Sequence, residues 1–195
     1  LAECAIYGYL TMGPTGCTPV PGVTKNVLIW GRNPWASQHQ GWQKQLDAQK
    51  AGTKLIVIDP RFTESAAAAD LWLQIRPGTD GALAFGMLNV IIKEDLYDRE
   101  FVGKWCLGFN ELKTLVQKYT PDMVAGITWI PEEQIVELAR LYAAGKPSII
   151  TGGLGPRHSG TSGLSGVVGK CLLRAITGNL EVEGGQRFSE NPEKT

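Results

Sequence analysis

Residues 55–83 read LIVIDPRFTESAAAADLWLQIRPGTDGAL. An apolar run ends in Asp59-Pro60-Arg61, an alanine stretch follows, and a second apolar segment ends in Arg76-Pro77-Gly78-Thr79-Asp80. Short apolar runs bounded by turn residues fit strands buried on both faces of a parallel sheet. In an open α/β sheet, ligands bind outside the carboxyl ends of the strands. This stretch places a carboxylate at two such ends in succession, each beside a proline and an arginine.

Upstream, "NVLIWG" (26–31) predicts a buried strand that "GRNPW" breaks, and Ser37 is a candidate N-cap for a polar helix to about residue 50, closed by Gly52. Residues 54–58 and 71–75 are the next two strands. Thr79 or Asp80 then caps a helix with Leu83, Met87, Val90 and Ile91 on one face. Residues 96–119 read as helices joined by a glycine-containing turn. Pro131 opens another helix, with Glu132 and Glu133 at its positive end and Gly145 at its close. Ser148–Thr151 form a fourth strand, and after "GGLGPRHSGTSG" a long helix runs to about residue 177. Strand and helix alternate, so the expected class is α/β, a mostly parallel sheet flanked by helices, Rossmann-like. The expected organisation is a loop-rich lead-in over 1–25 with one turn of helix near residues 6–10, one domain over 26–188, and a polar tail over 189–195.

Charge and composition exclude several classes. Lys+Arg and Asp+Glu are equal at 19 each, which gives no electrostatic case for nucleic acid or an anionic membrane. No apolar run has the length of a membrane span, and the first residues lack the basic and apolar regions of a secretory signal. Cys4, Cys17, Cys106 and Cys171 form no C-x-x-C pair, against a zinc ribbon or thioredoxin-type site. A chain beginning at Leu1 is expected to be a fragment or a processed product.

The loops "GRNPW", "IDPRFT", "RPGTD" and "GGLGP" each follow a strand, so a parallel sheet brings them to one edge. Glycines there allow close approach of a ligand, and backbone N–H groups and helix N-termini favour an anion such as phosphate. Asp59 and Asp80 do a different job: an acceptor-only carboxylate takes donors from a ribose or from guanine, whose N1–H and amine lie side by side. Arg32 and Arg61 supply charge for a pyrophosphate. Taken alone, Asp59-Pro60-Arg61 reads equally well as a turn in which Asp59 pairs with Arg61, and Thr79-Asp80 as ordinary helix capping. Neither a G-x-G-x-x-G fingerprint nor a Walker A lysine is present.

In order, "LIWGRNPWAS", "GTKLIVIDPRFTESAAAADLWLQIRPGTDGALAFGMLNVII", "LYDREFV", "GGLG" and "AITGNLEVEGG" resemble the molybdopterin oxidoreductase family, over about residues 27–185. This is the group of dimethyl sulfoxide reductase, formate dehydrogenase and dissimilatory nitrate reductase. The resemblance implies a molybdenum or tungsten atom held between two molybdopterin guanine dinucleotides, one of them bound by this domain. Trp30, Gly31, Arg32, Asn33 and Pro34 match the first cofactor loop of the family. Asp59, Pro60, Arg61, Phe62 and Thr63 match the second, Gly78, Thr79 and Asp80 the third, and Gly153 and Gly155 the fourth. Cys4 is the implied thiolate ligand of the metal, with Cys17 next. Pro156 stands where several relatives carry Gln or Asn, which puts that pterin contact in doubt. His158 and His39 receive no catalytic role.

The resemblance also implies what other parts would supply: an iron–sulfur region, a β-rich domain completing the second dinucleotide site, and an electron-transfer iron–sulfur subunit as partner. On this reading the segment alone is inactive and belongs to a two-electron redox enzyme. A non-redox hydratase is a variant within the family. Two competing readings remain, a stand-alone nucleotide module such as the central domain of a thiamine-diphosphate enzyme, and a domain that has lost its cofactor and only supports a complex.

Overall fold

The structure is a computed structural model, and it describes residues 18–153 and 161–187. Four parallel strands form one sheet in the order β3-β2-β1-β4. They are β1 (Asn26–Trp30), β2 (Lys54–Ile58), β3 (Leu71–Leu73) and β4 (Ser148–Gly152). The helices are α1 (Pro34–Ser37), α2 (His39–Lys50), α3 (Glu64–Ala67), α4 (Asp80–Lys93), α5 (Arg99–Trp105), α6 (Phe109–Val116), α7 (Pro121–Thr128), α8 (Glu132–Ala144) and α9 (Thr161–Ile176). The α/β class with an all-parallel sheet is as the sequence predicts.

Alternation along the strands divides the core in two. Leu28, Trp30, Ile56, Ile58, Leu73 and Ile150 face a large cluster with α4, α8 and α9, centred on Leu83, Met87, Leu138 and Leu173. Val27, Ile29, Leu55, Val57 and Ile149 face the other way, against Trp42 of α2 and Ala66 of α3. Continuous apolar strands are thus explained by burial on both faces. Between α4 and α9 the packing runs through small residues. A Cβ on Gly169 would lie 2.5 Å from that of Ala84, so the two helices approach as closely as backbones allow.

Several boundaries differ from expectation. Ser37 does not cap α2. It ends the separate turn α1, where its hydroxyl donates to the Asn33 carbonyl at 2.9 Å, and the extended Gln38 intervenes before His39. Pro131 is the N-cap residue of α8 rather than its first helical one. β3 ends at Leu73, although Ile75 is still buried. Helices α3 and α7 were not foreseen from sequence. Cys106 caps the C-terminus of α5, where burial pushes its thiol pKa up, while Cys171 is buried in α9. The expected turn near residues 6–10 lies outside the described residues. Among the described residues no helix is long and apolar enough to cross a membrane.

Candidate functional site

The strand order fixes where a ligand crevice opens. From β1 the chain goes to β2 and β3 on one side, then returns to the other side as β4. Such a reversal leaves a crevice at the carboxyl ends of the two strands that flank it, here β1 and β4. Gly31 and Gly153 lie there. Gly31 has φ 62°, a left-handed conformation that glycine adopts without cost, and its N–H donates to the Ile58 carbonyl at 2.7 Å. Gly153 N–H donates to the Trp30 carbonyl at 3.0 Å, and a Cβ on Gly153 would overlap the Gly31 carbonyl oxygen. Read from sequence, both glycines make room for a ligand. In the structure Gly153 is required first by the approach of two backbones at the crevice floor.

The first two loops are tied into one body. The Asn33 side chain accepts from the Ser65 hydroxyl at 2.7 Å and donates to Glu64 Oε2 at 2.9 Å, while Trp35 N–H donates to Ser65 Oγ at 3.2 Å. Pro34 is buried at the start of α1, and Arg32 donates to the Gln38 side chain. Thr63 caps α3 by accepting from Ala66 N–H at 3.2 Å. The Glu64 carboxyl is held below its ordinary pKa by backbone N–H donation and then by the Asn33 amide.

Asp59 is buried at the end of β2, and its Oδ1 accepts the main-chain N–H of Arg61 at 2.9 Å. The turn reading is therefore present, but it uses the Arg61 backbone and leaves the guanidinium on the exposed surface. Trp72 Nε1 donates to the Asp59 carbonyl at 3.0 Å, and Gln74 Nε2 to that of Pro60 at 3.3 Å. Phe62 is 64% exposed, its ring edge-on to Trp72 at 4.9 Å.

In the third loop Gly78 takes φ 81°, and the Thr79 hydroxyl donates to the Arg76 carbonyl at 2.7 Å instead of capping the helix. Asp80 is the first residue of α4 and buried. Its Oδ1 accepts the indole N–H of Trp30 at 2.7 Å. Trp30 itself is fully buried, with Lys170 Nζ of α9 lying 5.4 Å from its ring centroid. The indole thus sits in the core beneath the loops, where it orients a carboxylate. Sequence reading placed both Trp30 and Asp80 at the site but missed this bond across fifty positions. It also missed Lys170 and Arg174, whose signal was two cations one turn apart on the inner face of a long helix.

Three loops and two buried carboxylates therefore meet one sheet edge, where α4 also offers the unpaired N–H groups of its first turn. Acceptors for base or sugar donors, exposed guanidinium and backbone N–H donors for anionic oxygens suit a nucleotide carrying phosphates. His39 begins α2 on the exposed surface. Gly155, Pro156, His158, Cys4 and Cys17 lie outside the described residues. Among the described residues no group of three or more His, Cys, Asp or Glu side chains could hold a metal ion.

Comparison with known proteins gives this arrangement a family. The family model described as molybdopterin oxidoreductase matches residues 23–184. Acetylene hydratase of Syntrophotalea acetylenica is 44% identical over 158 residues, 79% of this chain and 21% of the relative. A formate dehydrogenase subunit alpha of Methanocaldococcus jannaschii is 39% identical over 158 residues, 81% of this chain and 23% of the relative. Among solved structures, acetylene hydratase from Pelobacter acetylenicus superposes with a TM-score of 0.81 at 38% identity, over 96% of this chain and 26% of that one. The chain spans about a quarter of the length of the relatives it matches. The match covers all four strands and all the described loops at their carboxyl ends, and this chain belongs to the molybdopterin oxidoreductase family.

Proposed function

We propose that the chain is the domain that binds one of two molybdopterin guanine dinucleotides in a molybdenum- or tungsten-dependent oxidoreductase. The gathering of the loops after β1, β2 and β3 at the carboxyl edge of the sheet, with two buried carboxylates among them, carries this reading. The residues present fit such a group. The bound metal and pterins would supply two-electron chemistry.

The work of this chain is binding and orientation. Asp80 has one oxygen held by Trp30 and offers the other to the paired donors of guanine. Asp59, fixed by the Arg61 N–H, offers its remaining acceptor capacity to ribose or base. Arg61 and Arg32 face the pyrophosphate, with Gly78 and the α4 N-terminus supplying N–H donors. Asn33, Pro34, Pro60, Phe62, Thr63 and Thr79 hold the loops in shape, Gly31 lets the first loop approach the cofactor closely, and Gly153 and Gly155 are assigned to the pterin end. Cys4 is the metal's thiolate ligand, a soft donor suited to that role. Remaining domains of a catalytic subunit complete the second dinucleotide site and carry the iron–sulfur cluster, and an electron-transfer subunit is the partner. The likeness to acetylene hydratase favours one second reading, in which the same cofactor serves a non-redox hydration.

The test is calorimetric titration of guanosine diphosphate and adenosine diphosphate into the polypeptide carrying this chain, beside Asp80→Asn. Asparagine keeps an acceptor for the Trp30 indole, so the core bond survives, but it presents an amide donor to the donors of guanine. The guanine nucleotide should bind in preference, and the substitution should weaken it about tenfold or more, the effect of a lost hydrogen bond to a charged group. Equal binding of both nucleotides, unaffected by the substitution, would instead indicate a generic nucleotide module.

A further inference from the structure

Trp129 sits where nothing in the fold calls for it. It ends α7 with φ 68° and ψ 2°, the left-handed conformation that bulky residues adopt only at a cost. Its N–H donates to the Ala125 carbonyl at 3.1 Å, the ordinary close of a helix, for which glycine is the default residue. Burial does not offset the cost, because the side chain is 64% exposed. A large aromatic held in a glycine conformation and left largely in water contributes little to folding. Such backbone outliers point to function when their surroundings hold them in place.

The surroundings are those of the third loop. Arg76 N–H donates to the Thr128 carbonyl at 2.8 Å, pinning the end of α7 to the segment that leaves β3. The Thr128 hydroxyl donates to Val124 at 2.8 Å and accepts the Ile130 N–H at 3.3 Å, so the turn is braced on both sides of Trp129. The Arg76 guanidinium carbon lies 5.4 Å from the Trp129 ring centroid, a cation–π distance. Arg76 is exposed and forms no ion pair among the described residues. An exposed indole and a planar cation thus stand together at the head of the segment that runs on to Gly78, Thr79 and Asp80.

We infer that Trp129, backed by Arg76, is a stacking wall for the purine of the bound nucleotide. The inference rests on the nucleotide-binding reading above and adds a residue that the loop motifs do not contain. A flat π surface with an adjacent guanidinium recognises a base by its face. Asp80, on the same loop, recognises the base by its edge. The division of labour is that Trp129 supplies affinity for any purine and Asp80 selects guanine.

The test compares Trp129→Phe with Trp129→Leu in the polypeptide carrying this chain. Both replacements share the backbone strain and an apolar side chain, but only Phe keeps a π face. Titration with guanosine diphosphate, adenosine diphosphate and inorganic pyrophosphate separates base from phosphate binding. Trp129→Leu should weaken both nucleotides about five- to tenfold, as loss of one stacked base does. Trp129→Phe should stay within about twofold of wild type on the same scale, and pyrophosphate should bind equally to all three proteins. Nucleotide affinities that are the same for Leu, Phe and wild type would overturn the stacking role while leaving the nucleotide reading intact. A parallel loss of pyrophosphate binding in Trp129→Leu would also overturn it, because that pattern means a distorted loop. If wild type binds neither nucleotide nor pyrophosphate, the underlying reading fails and this inference with it.

Discussion

The residues that shape the crevice floor answer to partners distant in sequence. Gly153 has no side chain because Gly31, more than a hundred positions away, puts its carbonyl where a Cβ would go. Gly153→Ala should therefore destabilise the protein by about 3 kcal/mol, at the upper end of overpacking costs because backbone rather than a flexible side chain must yield. Urea unfolding checks this, with Gly152→Ala as control, since a Cβ there would meet only Lys170 Nζ at an ordinary 3.6 Å. Equal losses for the two would mean that the backbone approach is not what requires glycine. Residue types at the site were legible in the sequence: two aspartates and two arginines after apolar runs. Their commitments were not. Nothing local announces that Trp30 donates to Asp80 or that Ser65 holds Asn33, whereas the Asp59 turn, two residues long, was open to local reading.

At the scale of elements, strands and long helices were legible because burial writes a period into the sequence, while short helices carry too few residues to show one. Helix α7 has Val124 and Thr128 buried on one face, but Gly126 and a β-branched end dilute its propensity. Helix α3 spans four residues and exists because Thr63 caps it. A better-defined joint is the start of α5. Asp98 accepts the Phe101 N–H at 2.8 Å and also pairs with Lys146 before β4, and its own N–H donates to the Ile176 carbonyl at 2.7 Å. One residue thus ties α5, α9 and the approach to β4 together, its carboxylate to Phe101 and Lys146 and its N–H to α9. Lys146 first, then the backbone N–H of Phe101, holds the Asp98 carboxyl below its ordinary pKa. A carboxyl with a depressed folded-state pKa contributes stability above its unfolded-state value, near 3.9 for Asp, and that contribution is lost as pH falls through the folded-state value. Asp98→Asn, which still caps the helix but loses the charge paired with Lys146, should lower stability at neutral pH by up to about 1 kcal/mol, and the gap to wild type should narrow as pH falls below about 4. Unfolding curves between pH 7 and 3 check it; a gap that stays constant with pH would show that the charge is not involved.

The whole molecule joins these scales through its topology. The sequence supported a parallel sheet, but the order β3-β2-β1-β4 depends on where the chain crosses back after α8. No local pattern encodes that crossing. It follows from which faces pack: α4, α8 and α9 bury one side of the sheet and α2 with α3 the other, leaving the edge of β1 opposite β2 for the returning strand. The crossing makes the crevice, so fold and candidate site arise in one step, and the loops are held by the same contacts that hold the core. This has a consequence for stability. A ligand that binds only where β1, β2, the third loop and β4 are assembled should stabilise the entire fold, since the unfolded chain has no such site. Guanosine diphosphate at about a hundred times its dissociation constant should add roughly 2.7 kcal/mol. For a domain of this size that corresponds to a rise in Tm of about 5–10 °C. Asp80→Asn, which keeps the Trp30 acceptor, should melt near the wild type without nucleotide and, with binding weakened about tenfold, show about half the rise or less at the same concentration. Differential scanning calorimetry reads both quantities in one series. A melting point unmoved by saturating nucleotide in wild type would mean that the loops, although gathered by the fold, do not bind what their chemistry suits. A rise of equal size in Asp80→Asn would show binding that does not use the carboxylate, and guanine recognition would have to be sought elsewhere along the crevice.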